Sequence, residues 1–386
     1  MVFDLTISEL LIISLFFITA INCALTYFCC TKSLKILEED KSISKAINKL
    51  RILDQYLLSK INMIVALIYF GLSYLFIESK FPESDYSFLF SCLLSFPLTL
   101  ITTFASRVCY CYTCNVLLET KLNEWECLVV NIKRLSVIYS PFVIISFVVP
   151  TVYLFGFSEF VSNIVCVGLL LAIMIVWVIL TPKIMALSYN AKEVQKNTLL
   201  RHRLEKLMAV HEIKRYKLFV WDSSRSKESN AMVSGIRNYH LFISSCLIEE
   251  ITLPELETVI THEIGHIKNK HLLKMMICKL LAVAALVLMA VLPFILKLNE
   301  FDRVVFYFFA VILVCIGIIV GVKIERKYEE QADLYAACYN DPELFASALR
   351  KVSKYEDVEE KSKMDELFQS HPDIKDRIEK VKNGDI

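Results

Sequence analysis

The sequence lacks an excess of charge of either sign. Its 386 residues include 42 lysines and arginines and 41 aspartates and glutamates, which give a formal net charge of +1 at pH 7. It also lacks a basic tract interleaved with aromatic residues, the pattern typical of nucleic-acid-binding surfaces. No nucleic-acid partner is therefore expected.

Three further absences narrow the class of protein. No internal repeat or low-complexity segment is present. The 13 cysteines lie mostly in or beside apolar segments, without the paired spacing of a zinc-binding loop, so reduced thiols are expected. For Cys109, Cys111 and Cys114, buried or interfacial thiols are favoured over palmitoylation or a metal cluster. The N-terminus has no basic residue before its first apolar run, which predicts a retained membrane helix rather than a cleaved signal peptide.

Apolar residues are abundant. They make up 56% of the chain, and the mean hydropathy is +0.52. Seven uncharged runs are each close to the roughly 20 residues that a helix needs to span hydrocarbon; they cover about 10–30, 61–77, 86–106, 135–157, 160–180, 280–296 and 304–322. The fold class expected is an all-α polytopic membrane protein with about seven transmembrane helices embedded in the lipid bilayer.

The charges of the loops predict the orientation. The segment between runs one and two holds seven basic residues and that between runs three and four holds four, whereas the alternate loops hold two or fewer. Basic loops stay on the cytoplasmic side. The N-terminus is therefore expected outside or in a lumen, with 182–279 and 323–386 in the cytosol.

The sequence His262-Glu263-Ile-Gly-His266 carries the chemistry. Two histidines four apart on a helix lie on one face and can bind a single cation, while Glu263 reaches the same water. A helix from about 253 to 271 is indicated by Pro254 in its first turn and by a capping box of Thr252 and Glu255.

Catalytic zinc usually has three protein ligands, so a third is expected. Glu329 and Asp333, also four apart, could supply that ligand and an acceptor for the outer N–H of a histidine. Taken alone, Glu329 and Glu330 would suit a solvated acidic helix end. Together with His-Glu-x-x-His they favour a His262, His266 and Glu329 site for one zinc ion, with Glu330 as the next candidate.

Short strands are expected between the membrane runs and the histidine helix. Residues 216–222, 230–235 and 239–247 predict a small β-sheet in a mostly helical domain. An exposed strand edge there could hold an extended peptide by main-chain hydrogen bonds.

Four motifs in order resemble the integral-membrane zinc metalloproteases of the HtpX and type 1 CAAX prenyl protease superfamily. They are the run from Asp222 to Gly235 with Asn230-Ala231, HEIGHIKNKH from His262, the Glu329 to Asp333 segment, and Ser370-His371-Pro372 with Arg377. Five apolar runs before the histidine helix, together with the Asn-Ala pair, are closer to the CAAX branch.

The resemblance implies a gluzincin-type zinc endopeptidase. It implies that Asn230 and Ala231 hold the substrate, and that His371 and Arg377 lie near the metal, His371 as an oxyanion donor and Arg377 paired with Glu329 or Asp333. Substrates would be prenylated proteins trimmed at the C-terminus in the CAAX branch, or damaged membrane proteins in the HtpX branch. His271 is interpreted as structural or as a neighbour of the ligands, because on one continuous helix it would face away from His262.

These expectations divide the chain into a five-helix transmembrane region (1–182), a catalytic segment (183–279), a transmembrane hairpin (280–322) and a C-terminal catalytic segment (323–386). The membrane would be the bacterial cytoplasmic membrane or the endoplasmic reticulum, according to source. A signalling protein of protease fold would need an extracytoplasmic domain, for which the outer loops are too short. A non-catalytic scaffold or transporter would have no need of Glu263.

Overall fold

The computed structural model describes residues 7–40, 62–80, 87–118, 154–296, 298–352 and 374–383, with isolated positions between 43 and 50 and between 120 and 152. The chain divides into two compact units. One comprises Met1–Glu119 and Asn123–Met174, and the other Thr120–Leu122 and Ile175–Ile386.

The first unit is helical. Its described helices are α1 (Ile7–Asp40), α2 (Asn62–Lys80) and α3 (Ser87–Leu118), and α4 (Glu159–Ser188) begins in it. Within the described residues, two helical stretches are long and apolar enough to cross a membrane, Ile12–Glu39 and Ile164–Ser188. The predicted runs near 61–77 and 86–106 are also helical, whereas most of the run at 135–157 lies outside the described residues.

A buried tyrosine joins α1, α2 and α3. The ring of Tyr69 on α2 is fully buried. Its hydroxyl lies 2.7 Å from the Thr19 hydroxyl on α1 and 2.8 Å from the Thr102 hydroxyl on α3. These two contacts connect the three helices through buried or partly buried polar side chains.

The second unit contains a small sheet. Its strands are β1 (Lys192–Glu193), β2 (Tyr216–Trp221), β3 (Ala231–Ser234) and β4 (Tyr239–Ser244), in the order β1-β2-β4-β3. β2 and β4 are parallel, whereas the other two pairs are antiparallel. Helix α5 (Leu199–Val210) lies between β1 and β2 in the chain. The strand order places β1 and β3 at the two edges of the sheet. The small β-sheet predicted from the sequence is present.

Six more helices follow in the described part of the chain: α6 (Ser245–Glu250), α7 (Leu253–Lys268), α8 (His271–Ile295), α9 (Glu300–Tyr339), α10 (Pro342–Val352) and α11 (Ile374–Asn383). The expected helix over 253–271 is thus shorter than predicted. It ends at Lys268, since Asn269 caps it and Lys270 has a positive φ of 56°. His271 starts the next helix, so the argument from helical phase does not apply to it.

The first turn of α7 is tied to α10 by a buried carboxylate. Glu255 is 3% exposed. It accepts hydrogen bonds from the Thr252 backbone N–H at 2.8 Å, the Ser347 hydroxyl at 2.6 Å and the Lys351 ammonium at 2.8 Å. Burial opposes ionisation, but the bonds from Lys351 and Ser347 outweigh it and lower the pKa of Glu255 to about 2.

We expect Glu255→Gln to lower the free energy of unfolding of the second unit by about 1.5–3 kcal/mol, because hydrogen bonds to a charged group are lost. Since the folded pKa lies below the ordinary value of 4.5, the ionised group stabilises the fold above about pH 4.5. That contribution is lost as pH falls toward about 2. Thermal unfolding of the purified protein, followed as a function of pH, measures both effects.

The matched control is Glu343→Gln. Glu343 also pairs with a lysine, but its side chain is 69% exposed, so its removal should cost less than about 1 kcal/mol. Equal losses for the two variants, or an unchanged acid dependence in Glu255→Gln, would contradict the prediction.

Candidate metal centre

Helix α7 presents its two histidines to one point. The Nε2 atoms of His262 and His266 lie 3.3 Å apart, and the side chains are 12% and 16% exposed. The opposite face of the helix is fixed by burial of Ile260, Ile264 and Ile267 in the core of the second unit. Packing of this apolar face of α7 therefore sets the direction in which both imidazoles point.

Glu329 completes the group from α9. One carboxylate oxygen lies 3.6 Å from His262 Nε2 and the other 3.5 Å from His266 Nε2. One donor atom from each of the three residues lies within 4.8 Å of the others. Glu330, the alternative, instead pairs with Lys380 at 2.6 Å. Within the described residues, the group that could hold a metal ion is thus His262, His266 and Glu329.

A glycine allows α7 and α9 to approach. A Cβ at Gly265 would lie 3.0 Å from both the Ala332 Cα and the Tyr335 Cβ, tighter than ordinary contacts. The residue between the histidines must therefore be small for Glu329 to reach them. The sequence interpretation gave Gly265 no role, although a glycine inside a helix indicates close packing.

Asp333 supports the first histidine. Its Oδ1 lies 2.9 Å from His262 Nδ1, which places a carboxylate beside the nitrogen of that ring that faces away from His266 and Glu329. Arg377 on α11 binds Asp333 with two hydrogen bonds of 2.6 Å. Burial raises the pKa of Asp333, but the Arg377 guanidinium outweighs it and the net shift is downward. Of the two expected partners of Arg377, the structure brings it to Asp333.

The two histidines differ in electrostatics. Burial disfavours the charged form of His262, but the carboxylates of Asp333 and Glu329 outweigh it and raise its pKa to about 10. Burial, reinforced by the neighbouring His262, lowers the pKa of His266 to about 3. The His266 ring is therefore neutral at pH 7 and keeps one nitrogen lone pair for a ligand bond.

The remaining predicted site residues are distributed as follows. Glu263 is partly exposed on α7, next to His262. Asn230 is exposed and precedes the edge strand β3; its backbone N–H donates to the Ser244 hydroxyl at 2.9 Å. Ala231 opens β3, which contacts α7. His371 lies outside the described residues.

His262 and His266 from one helix and Glu329 from another form a gluzincin type of site. In this type a second glutamate, here Glu263, follows the first histidine. Residues 194–384 match the family model of Peptidase family M48. The second half of this chain is thus similar to that family, and the match supports the superfamily of HtpX and the CAAX prenyl proteases. The resemblance inferred from the motifs is confirmed.

Relatives from both branches are found. A protease HtpX homolog of Bacteroides fragilis is 31% identical, with 37% of this chain and 50% of the relative covered. A CAAX prenyl protease 1 homolog of Oryza sativa subsp. japonica is 34% identical, with 27% and 25% covered. The chain thus spans half or less of the length of these curated relatives.

Structural likeness extends further than sequence likeness. A crystal structure of S. mikatae Ste24p has a TM-score of 0.62 and 21% identity, with 97% of each chain covered. The fold is therefore shared over almost the whole chain, including the helices that precede the M48 region. This confirms the expected mostly helical fold with a small sheet.

Proposed function

We propose that this chain is an integral-membrane zinc endopeptidase. The observation that carries the proposal is the convergence of three donor atoms within 4.8 Å at His262, His266 and Glu329. Zinc ligands at about 2.0–2.1 Å in tetrahedral geometry lie about 3.3–3.4 Å from one another. The separations of 3.3, 3.5 and 3.6 Å fit one zinc ion per chain.

The chain's own residues then have distinct roles in hydrolysis. Bound zinc would polarise the scissile carbonyl and make its water more acidic. Glu263 takes a proton from the attacking water as its oxygen bonds to the carbonyl carbon, and delivers that proton to the leaving nitrogen as the C–N bond breaks. Asp333, held by Arg377, fixes the His262 ring. His371 is the proposed donor to the oxyanion, and Asn230 and Ala231 beside the edge of β3 hold the extended peptide.

We further propose prenylated proteins, trimmed after the prenylated cysteine, as substrates. Two findings support this: the CAAX prenyl protease homolog matches the chain, and the Asn230-Ala231 pair lies at the start of the edge strand β3, which contacts α7. The alternative is membrane-protein quality control, which the HtpX homolog supports.

Cleavage of paired peptides tests the proposal. A farnesylated peptide with a C-terminal CAAX sequence, and the same peptide without the lipid, are incubated with the purified protein, and the released tripeptide is measured by mass spectrometry. Zinc-dependent release from the farnesylated peptide alone is expected. Equal cleavage of both peptides and of a misfolded membrane protein would favour the alternative. No zinc-dependent cleavage of any of them would overturn the peptidase assignment.

The proposed topology has seven spans, with the N-terminus outside and the site in the cytosol. With all cysteines replaced, Ser84→Cys should react with an impermeant maleimide in intact cells or right-side-out vesicles. Ser224→Cys, at an exposed position near the sheet, should react only after permeabilisation. These expectations follow from the basic loops. Labelling of Ser224→Cys in sealed preparations would reverse the orientation.

A further inference from the structure

His266 has a neighbour on its outer side that the motif does not include. Its Nδ1 atom lies 3.0 Å from Nδ1 of His271. The other nitrogen of His271, Nε2, lies 2.8 Å from the side-chain oxygen of Gln331. His271 is 1% exposed. Three side chains thus form a continuous hydrogen-bonded row that ends at a metal-ligand candidate.

The ring of His271 is held in its plane as well as along its edge. Tyr328 stacks on it with the centroids 4.3 Å apart and the planes 11° apart. Tyr328 and Gln331 lie on α9, on either side of Glu329. The helix that supplies Glu329 therefore also orients the neighbour of His266.

The hydrogen bonds of the row all run in the same direction, from His266 toward Gln331. The Gln331 oxygen can only accept, so Nε2 of His271 carries the proton, and in a neutral ring Nδ1 is then an acceptor. Nδ1 of His266 must donate to it, which leaves the lone pair of His266 on Nε2, facing His262 and Glu329. The reverse amide orientation would put the proton on His266 Nε2 and block a metal bond. Metal ligation therefore selects the direction in which Gln331 accepts.

We propose that Gln331 and His271 are positioning residues that fix the tautomer and orientation of His266 for metal binding; this rests on the proposed function. The two ligand histidines are then supported differently. His262 contacts a carboxylate, Asp333, whose charge is offset by Arg377. His266 is supported by an uncharged row, which adds no second negative charge to the site.

Zinc affinity of the full-length protein, measured by competition with a chelator, tests the proposal. Groups that orient metal ligands typically contribute about 10–100-fold to affinity. We expect that loss from Gln331→Leu, which removes the acceptor, and from His271→Phe, which keeps a ring against Tyr328 but has no nitrogen. Gln331→Glu retains an acceptor and should bind zinc within about threefold of the parent.

The double variant Gln331→Leu/His271→Phe should lose no more than the worse single variant, because both act through the same row. Glu330→Gln, one residue away on α9 and paired with Lys380, is the matched control and should bind as the parent does. The visible spectrum of bound Co²⁺ gives a second readout, which should change in Gln331→Leu and return in Gln331→Glu.

The outcomes separate the two proposals. If the parent binds no zinc, the proposed function fails. If the parent binds zinc and Gln331→Leu binds it equally tightly with an unchanged Co²⁺ spectrum, the positioning role is overturned while the proposed function stands. Should His271→Phe fail to fold, the Gln331 variants, at a partly exposed position, still decide the question.

Discussion

Replacement of Glu263 by glutamine should leave the protein with its full complement of zinc and lower kcat by about 10²–10⁴-fold. General-base catalysis by a positioned side chain contributes a factor of that size. Glutamine has nearly the shape of glutamate but cannot take up a proton. Because Glu263 lies outside the His262, His266 and Glu329 group, its charge is not needed to hold the metal.

The measurement is metal content per chain together with kcat for peptide cleavage. Glu257→Gln is the matched control, since Glu257 lies on the same helix and pairs with Arg203 at 2.7 Å. Activity of Glu257→Gln should stay close to that of the parent. A Glu263→Gln protein that retained parental kcat would remove Glu263 from the proton transfer.

Glu329→Ala should instead lose the metal. The three donor atoms are mutually within 4.8 Å, and without Glu329 only the two histidines of α7 remain. Groups that merely support a ligand contribute about 10–100-fold to metal affinity, so loss of the ligand itself should exceed about 100-fold. Activity should fall with zinc occupancy and recover in part at high zinc concentration.

Elemental analysis after gel filtration, and chelator competition, measure this loss. Glu330→Ala is the control, because Glu330 pairs with Lys380 at the surface and its removal should leave zinc bound. Parental zinc affinity in Glu329→Ala would move the third ligand to Glu330.

The parts of the site that follow from local periodicity could be predicted. The i and i+4 spacing put His262 and His266 on one face of α7, and the same spacing brought Asp333 to His262 once Glu329 was near. The expectation that Arg377 lies near the metal came from the family resemblance, and in the structure its side chain binds Asp333. Those features depend on one helix or on a matched motif.

Features that depend on the contact between helices could not be predicted. The need for Gly265 appears only when α7 and α9 are packed, since the close atoms belong to Ala332 and Tyr335. The contact of His271 with His266 required α7 to end at Lys268, so that the chain turns before His271. Likewise, β3 is an edge strand because the strand order is β1-β2-β4-β3, and a sequence pattern within single strands cannot specify that order.

Helix α9 runs uninterrupted over 40 residues from Glu300 to Tyr339, a length of about 60 Å at 1.5 Å per residue. It carries an apolar run at one end and Glu329, Gln331 and Asp333 toward the other. Each residue inserted into a helix rotates the residues beyond it by about 100° about the helix axis. A single insertion or deletion between residue 322 and Glu329 would therefore rotate the Glu329 carboxylate away from His262 and His266. Length changes in proteins that keep this centre must therefore fall in the loops, and this stretch should align among them without gaps.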